Sequence, residues 1–327
     1  MKKIIILIAF ILLCLASVYA MQDPFTYFAK FGSEGTGAGQ FDRPYGIAID
    51  NSYIYIIEAG ISNRVQIFDK SSYSYIGNFG SAGSGDGQFD DPYGIEVDSN
   101  YIYVADTYYH RIQIFNISSP YSFVAKFGSL GSGDGQFNLP HGIAIDDNFI
   151  YVLDLGYPRV EIFNKTSPYA FVSAFGSSGT TDGKFKLPEG VSVDNNFIYV
   201  ADTNNHRIQI FNKTSPYAFV SAFGSSGTNN GQFNNPRRVI TDNNFIYVTD
   251  IGNNRVQIFN IDSPYSFRAN IGTTGISNSQ FQSPYGVKVD NKYVYVTDST
   301  NKRVQIFAGT LIEQPSISKT YGGAIAQ

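Results

Sequence analysis

The sequence has a single cysteine, no tryptophan and little charge. Cys14 is the only cysteine in 327 residues, and it lies inside an apolar N-terminal segment. A chain without this segment has no disulfide and no thiolate for catalysis or for soft metals. Charged residues make up 15 % of the chain, whereas aromatic residues make up 16 %. Disordered proteins have the opposite balance, so we expect a packed core.

Basic charge is also scarce. The chain has 23 Lys and Arg against 27 Asp and Glu. Removal of residues 1–20 takes away Lys2 and Lys3 and no acid, which leaves 21 basic and 27 acidic residues and a net charge of −6. Nucleic-acid-binding proteins usually have a basic face, because neutralising phosphates supplies much of their affinity. We therefore expect no nucleic-acid partner.

Residues 1–20 have the organisation of a signal peptide. Lys2 and Lys3 precede the apolar run 4–18, and the small Ala20 suits cleavage after it. The apolar run is shorter than the roughly 20 residues that span a bilayer, although a retained anchor is the alternative. The sequence thus predicts an exported protein, secreted or at the cell surface, with no stable membrane span after cleavage.

A unit of 48 residues is repeated six times along the sequence. A phenylalanine begins each unit, at Phe41, Phe89, Phe137, Phe185, Phe233 and Phe281. A proline follows three residues later, at Pro44, Pro92, Pro140, Pro188, Pro236 and Pro284. Two residues further, five units have glycine and the fifth unit has Arg238. A period in the 40s with strand-like content is typical of a β-propeller or of a solenoid of sheet units.

Each unit predicts four strands. In the fourth unit these are residues 190–194, 197–202, 207–211 and 217–223, separated by turn residues such as Asn195 and Asn212. Four antiparallel strands per repeat form a propeller blade. Both faces of a blade pack on neighbouring blades, so we expect most of the 24 Tyr and 27 Phe residues in the core between blades.

The two ends of the repeat region predict how the ring closes. Residues 27–32 match the end of a fourth strand, residues 123–128, whereas the final unit stops after its third strand at Phe307. Strand 25–31 is therefore expected to complete the last blade. The prediction is an all-β, six-bladed β-propeller of four-stranded antiparallel blades over residues 21–307, closed by the N-terminal strand. Residues 308–327 form a C-terminal tail.

The repeat resembles a known family. Residues 201–211, ADTNNHRIQIF, are similar to the core of the NHL repeat, and Phe185, Pro188 and Gly190 fit its opening. The resemblance covers about residues 25–307 and implies a six-bladed propeller of the NHL type. It implies no single activity, because members range from RNA-binding and ubiquitin-ligase proteins to extracellular sensor domains and an amidating lyase.

An acid and an arginine recur once per unit, and we interpret them as scaffold. The acids end the second strand, at Glu58, Asp106, Asp154, Asp202, Asp250 and Asp298. The arginines open the third strand, at Arg64, Arg111, Arg159, Arg207, Arg255 and Arg303. Six equivalent copies cannot all be one active site, whereas an ion pair with turn hydrogen bonds is useful in every blade.

The sequence predicts no metal site and no cofactor. Glycine-rich loops such as residues 83–88 lack the helix and the lysine of a phosphate loop, and they have too few carboxylates for calcium. The amidating lyase that the resemblance includes holds zinc with histidines of its central site. Of His110, His141 and His206, only His141 lies on an innermost strand, so the resemblance does not extend to that site.

The residue after each proline varies strongly, and it opens the strand that lines the central channel. These residues, with Arg238, are the candidate binding rim at the channel mouth: Tyr45, Tyr93, His141, Glu189, Arg237, Arg238 and Tyr285. Aromatic surface with a few polar groups is typical of recognition sites, and drift at exposed positions is the alternative. Replacing Arg237 and Arg238 with alanine is expected to weaken binding and to leave the melting temperature unchanged.

Three N-glycosylation sequons occupy one repeat position, the turn after the third strand, at Asn116, Asn164 and Asn212. The leading functional hypothesis is an extracellular, non-catalytic binding module for a protein, peptide or glycan ligand on the channel-mouth face. The alternative is a metal-assisted hydrolase or lyase with its site in the central channel. RNA binding and ubiquitin ligation come from the resemblance alone, and the signal peptide and negative charge disfavour them.

Overall fold

The structure, a computed structural model, describes residues 25–309. These residues form six four-stranded antiparallel sheets, and the innermost strands of neighbouring sheets contact each other around a ring. The predicted all-β, six-bladed β-propeller is confirmed. Within the described residues, no helix is long and apolar enough to cross a membrane. The predicted signal peptide and residues 310–327 of the predicted tail lie outside this part of the chain.

Each blade has four strands, which follow one another from the channel outwards. Blade 1 has β2 (Pro44–Ile49), β3 (Tyr53–Glu58), β4 (Arg64–Asp69) and β5 (Tyr75–Phe79), and blade 2 has β8 (Pro92–Val97), β9 (Tyr101–Asp106), β10 (Arg111–Asn116) and β11 (Phe123–Phe127). Blade 3 has β12 (Pro140–Ile145), β13 (Phe149–Asp154), β14 (Arg159–Asn164) and β15 (Phe171–Phe175), and blade 4 has β16 (Gly190–Val193), β17 (Phe197–Asp202), β18 (Arg207–Asn212) and β19 (Phe219–Phe223). Blade 5 has β20 (Pro236–Thr241), β21 (Phe245–Asp250), β22 (Arg255–Asn260) and β23 (Phe267–Ile271), and blade 6 has β26 (Pro284–Val289), β27 (Tyr293–Asp298), β28 (Arg303–Gly309) and β1 (Phe25–Phe31).

Short elements occur in the connections. Two parallel pairs of two-residue strands are β6 (Ser81–Ala82) with β7 (Gln88–Phe89) and β24 (Thr273–Thr274) with β25 (Gln280–Phe281). Two 3₁₀ turns lie at Thr203–Asn205 and Ile251–Asn253.

Blade 6 is built from both ends of the described chain. β1 pairs antiparallel with β28, with Phe25 opposite Gly309 and Phe31 opposite Val304. Phe25 and Phe31 are buried, and the ring of Tyr27 lies edge-on to that of Phe307. β28 extends two residues beyond residue 307, the predicted end of the domain. The ring is thus closed by strand pairing and apolar packing, which leaves no exposed edge on β28.

The core consists of six apolar clusters, one between each pair of neighbouring blades. The repeat's phenylalanine is at the centre of each cluster. Phe137, which is fully buried, lies with its ring centroid 6.3 Å from that of Phe127 in blade 2 and 5.6 Å from that of Phe163 in blade 3. A Cβ on Gly128 would lie 2.5 Å from the Phe137 ring, and this glycine has a φ of +94°. Glycine is therefore required where the chain passes from one blade to the next.

The repeated acid and arginine join strands and loops within each blade. Asp202 accepts hydrogen bonds from Arg207 Nε at 2.9 Å, from Gln209 Nε2 at 2.9 Å and from the Lys186 amide at 2.7 Å. The arginine also donates to loop carbonyls such as that of Thr181, at 2.8 Å. These contacts are scaffold contacts, because they satisfy buried backbone groups and reach no cavity of the channel mouth.

Blade 3 departs from this arrangement. Glu161 takes the place that glutamine has in the other blades, and Arg159 pairs with Glu161 at 2.9 Å instead of with Asp154. Both carboxylates are fully buried. Burial raises the pKa of Glu161 to about 7, and the neighbouring Asp154 charge adds to the rise; burial raises the pKa of Asp154 to about 6. Blade 3 thus contains two neighbouring buried carboxyl groups, of which only Glu161 pairs with the arginine.

Candidate functional site

The candidate rim residues meet across the channel. Tyr45, Tyr93, His141, Glu189, Arg237 and Tyr285 each open an innermost strand or directly precede it, and 48 residues separate each from the next. The ring centroid of Tyr93 lies 4.7 Å from that of Tyr45 and 4.5 Å from that of His141. The Tyr45 and Tyr285 centroids are 4.6 Å apart. These six residues and Arg238 close the channel mouth, and we term them the channel plug.

The buried part of the plug is a hydrogen-bonded network. Tyr285 Oη donates to Glu189 Oε2 at 3.1 Å and lies 3.0 Å from His141 Nε2. Arg237 Nη1 donates to the same Glu189 oxygen at 2.5 Å. His141 Nδ1 lies 3.2 Å from the Glu189 carbonyl oxygen, which can only accept, so Nδ1 carries the hydrogen. His141, Glu189 and Tyr285 are 3 %, 8 % and 2 % exposed, whereas the sequence predicted all three on the surface of the rim.

The protonation of this network follows from its burial and its two arginines. Burial lowers the pKa of His141 well below its ordinary value, and the charges of Arg238 and Arg237 act in the same direction. Burial raises the pKa of Glu189 although the same two arginines oppose the rise. His141 is therefore neutral at pH 7, and its Nε2 is an acceptor that competes with Glu189 Oε2 for the hydroxyl hydrogen of Tyr285.

Arg238 crosses the channel behind the rim. Its Nη1 donates to the Glu189 carbonyl at 2.8 Å and its Nη2 to the Tyr93 carbonyl at 3.0 Å. In the other blades this position is glycine because the innermost strands approach closely, and a Cβ on Gly94 would lie 2.2 Å from the His141 carbonyl oxygen. The cavity behind Arg238 measures about 40 Å³, which has room for water but not for a substrate.

These contacts contradict the expectation that Arg237 and Arg238 can be removed without changing the melting temperature. Without them the Glu189 carboxylate is buried with no positive partner, and the carbonyls of Glu189 and Tyr93 lose a donor. Leaving a buried charge unpaired costs about 3–5 kcal/mol. The double replacement therefore tests the fold as well as binding.

A concavity of about 460 Å³ lies on the outer surface of the plug. We term it the basic pocket; its lining residues are Arg43, Tyr45, Tyr93, Arg237, Ile251, Ser283, Tyr285, Ser299, Thr300 and Lys302. Three of these side chains are cationic and none is a carboxylate. Arg43 is exposed, and within residues 25–309 no carboxylate pairs with it. Lys302 Nζ donates to the Asp42 carbonyl, and Arg237 Nε is buried without a hydrogen-bond partner.

Arg43 and Lys302 were not among the residues predicted to form the rim. Arg43 precedes the repeat's proline and Lys302 precedes its arginine, at positions where the other units have different residues. Both positions vary between the repeat units and lie on the loops that surround the channel mouth. Variation between units was the signal that identified the rim residues, and it could have identified these two as well. Blades 6 and 1 are neighbours only in the closed ring, and this neighbourhood brings the two side chains together.

The other half of the mouth face is less polar. A cavity of about 140 Å³ is lined by Tyr93, Thr107, Tyr108, Leu139, His141, Leu155, Glu189 and Arg237. Tyr108, Tyr157 and Leu187 are exposed on the loops around it. The two cavities share Tyr93 and Arg237, so one ligand can contact both halves.

The remaining candidates lie apart from the mouth. His110 and His206 accept hydrogen bonds from the Leu139 and Asn235 amides of the next blade, at 3.2 and 3.1 Å. Asn116, Asn164 and Asn212 end the third strands of blades 2, 3 and 4, at the end of the blade opposite the plug. In the described part of the chain, no three His, Cys, Asp or Glu side chains form a metal-ligating group.

The fold and the plugged channel define a class: a six-bladed β-propeller with a concavity over its channel mouth. The sequence model of the family described as "NHL repeat" matches residues 185–211, which belong to the fourth unit. The chain therefore carries the NHL repeat on a six-bladed propeller, as the sequence resemblance predicted. A comparison with curated proteins finds no match.

Several solved structures are similar in fold. An auxiliary nutrient binding protein from Bacteroides ovatus matches with a TM-score of 0.65 and 14 % identity, over 88 % of this chain and 78 % of that one. Its counterpart from Bacteroides thetaiotaomicron matches with 0.62 and 13 %, over 86 % and 72 %. A streptogramin B lyase matches with 0.58 and 14 %, over 88 % and 98 %. At these identities the likeness shows the fold alone.

Proposed function

We propose that this chain is an extracellular, non-catalytic binding module whose ligand contacts the channel-mouth face. The basic pocket is the observation that carries the proposal. It combines a concave surface with three cationic side chains and the partly exposed rings of Tyr45 and Tyr93, which is the usual composition of a recognition site. Two proteins of similar fold are nutrient-binding proteins, which supports a binding role, and residues 1–20 support export.

The plug supports this function by being rigid. Its aromatic rings pack on one another, and its arginines are fixed by hydrogen bonds to Glu189 and to the Tyr93 carbonyl. A ligand on the basic pocket therefore meets groups that are already in place, and little conformational entropy is lost on binding.

The alternative, a metal-assisted hydrolase or lyase in the channel, has less support. The channel behind the plug has space for water only, and residues 25–309 assemble no metal-ligand set. Metal analysis of the purified chain separates the two functions, because a stoichiometric metal ion would favour the enzyme.

Arg43→Ala is expected to weaken ligand binding about tenfold and to leave the melting temperature unchanged. Arg43 is exposed, and within the described chain its side chain forms no ion pair or hydrogen bond, so its loss removes a contact to the ligand and no polar contact of the fold. Binding of residues 21–327 to an array of glycans and peptides, followed by titration of the best probe, measures the effect.

Lys292→Ala is the matched control. It removes the same charge from an exposed position at the opposite end of blade 6, so binding should equal that of the parent. Equal affinities of parent and Arg43→Ala for every bound probe would place the binding surface elsewhere and overturn the proposal.

A further inference from the structure

We infer that the basic pocket binds an acidic sugar, with a carboxylate of the sugar between Arg43 and Lys302. The inference rests on the proposed function and adds the chemical class of the ligand. Three observations on the pocket carry it: cationic side chains without a carboxylate in the lining, N–H groups of Arg43 and Lys302 that the fold leaves unused, and hydroxyl groups next to tyrosine rings.

The first observation is the charge of the pocket lining. Arg43, Arg237 and Lys302 line it, and no carboxylate does. Glu189 neutralises Arg237, whereas Asp42 and Asp91 on the surrounding loops accept backbone hydrogen bonds, from Ile61 and Gly60 respectively. Residues 21–327 have a net charge of −6, so the pocket lining has the opposite sign to the chain as a whole. Such a cluster attracts anionic ligands, and a carboxylate group of a ligand can accept charge-assisted hydrogen bonds from it.

The second observation is the number of N–H groups that the fold leaves unused. Lys302 Nζ donates to the Asp42 carbonyl, and among residues 25–309 it has no second acceptor. Arg237 gives Nη1 to Glu189, whereas its Nε is buried without a partner. The N–H groups of Arg43 and the remaining N–H groups of Lys302 are therefore the donors that a ligand oxygen can reach, whereas the buried Arg237 Nε is not.

The third observation distinguishes a sugar from a simple anion. Ser283 and Thr300 provide hydroxyl groups along the wall, and Tyr45 and Tyr93 provide partly exposed aromatic rings. Hydroxyl groups and aromatic rings complement the polar rim and apolar faces of a sugar ring, and a free phosphate or acetate uses neither. The volume of about 460 Å³ also exceeds the space that a simple anion fills.

Calorimetric titration of residues 21–327 with trigalacturonate tests the inference, and maltotriose serves as the neutral comparison. We expect trigalacturonate to bind at least tenfold more tightly than maltotriose, and its affinity to fall as the salt concentration rises. Arg43→Ala and Lys302→Ala should each reduce trigalacturonate affinity about tenfold. Lys292→Ala should have no effect.

The other outcomes overturn the inference in distinguishable ways. Equal affinity for maltotriose, still reduced by Arg43→Ala, would overturn the acidic class and leave the proposed function intact. Tighter binding of a tetra-aspartate peptide than of trigalacturonate would show that the ligand is an acidic peptide. Tighter binding of inorganic phosphate would show that it is a simple anion. Trigalacturonate affinity that neither variant changes would show that the basic pocket is not the site, and would overturn both. The melting temperatures of all variants exclude loss of folding as the cause.

Discussion

Relative to a parent that comprises residues 21–327, a variant without residues 21–33 is expected to melt at least about 10 °C lower. The deletion removes β1, so Phe25 and Phe31 leave the core and β28 loses its outer hydrogen-bonding partner. Each buried phenylalanine contributes about 3–5 kcal/mol, against a total stability of about 5–15 kcal/mol for a domain. Thermal unfolding followed by circular dichroism measures the effect, with each kcal/mol worth about 2 °C in a domain of this size.

The deletion also leaves β28 as an open edge, which invites pairing with a second molecule. A synthetic peptide of residues 21–33 should therefore bind the deletion variant and raise its melting temperature as the peptide concentration increases, because only the folded ring offers the site. A peptide with the same residues in scrambled order is the control. An unchanged melt after deletion would mean that the ring does not depend on β1 for closure.

Glu161→Gln is expected to stabilise the propeller by roughly 2–3 kcal/mol at pH 8 and by much less at pH 5. Burial raises the pKa of Glu161 to about 7 in the folded chain, so folding favours its protonated form. A carboxyl group whose folded pKa is raised stabilises the fold below its unfolded pKa, and this stabilisation is lost as the pH rises through the folded pKa. At pH 8 the parent must bury two carboxylates, Glu161 and Asp154, near one arginine, whereas the glutamine variant buries one.

The other blades show that glutamine fits at the repeat position that Glu161 occupies in blade 3. In blade 2, Gln113 Nε2 donates to Asp106 Oδ2 at 3.0 Å, and Arg111 pairs with the same aspartate at 2.7 Å. Gln113→Glu is thus the matched reverse substitution, and it should lower the melting temperature at pH 8 more than at pH 5. Melting curves of both variants and the parent at the two pH values measure the effect. A difference that does not change with pH would show that the carboxyl pair in blade 3 is not the cause.

The strands and the closure of the ring could be predicted from local patterns. Phe41 and its five counterparts recur every 48 residues because every blade needs the same ring between itself and its neighbour. Residues 27–32 repeat the pattern of a fourth strand, and the last unit lacks one, so their pairing followed without a structure. Even the strand bounds of blade 4 agree within two residues.

The sequence by itself therefore determined the repeat, the blade and the number of blades, because these depend on contacts that are the same in every unit. Only the tertiary structure decided that the residues after the prolines form a plug. Whether six different side chains meet across a channel depends on the channel width, which the packing of all six blades sets. It alone also brought Arg43 beside Lys302, which are far apart in sequence and neighbours only because the ring closes. Residues that differ between units form the channel plug and line the basic pocket, and their partners are set by the packing of the whole ring.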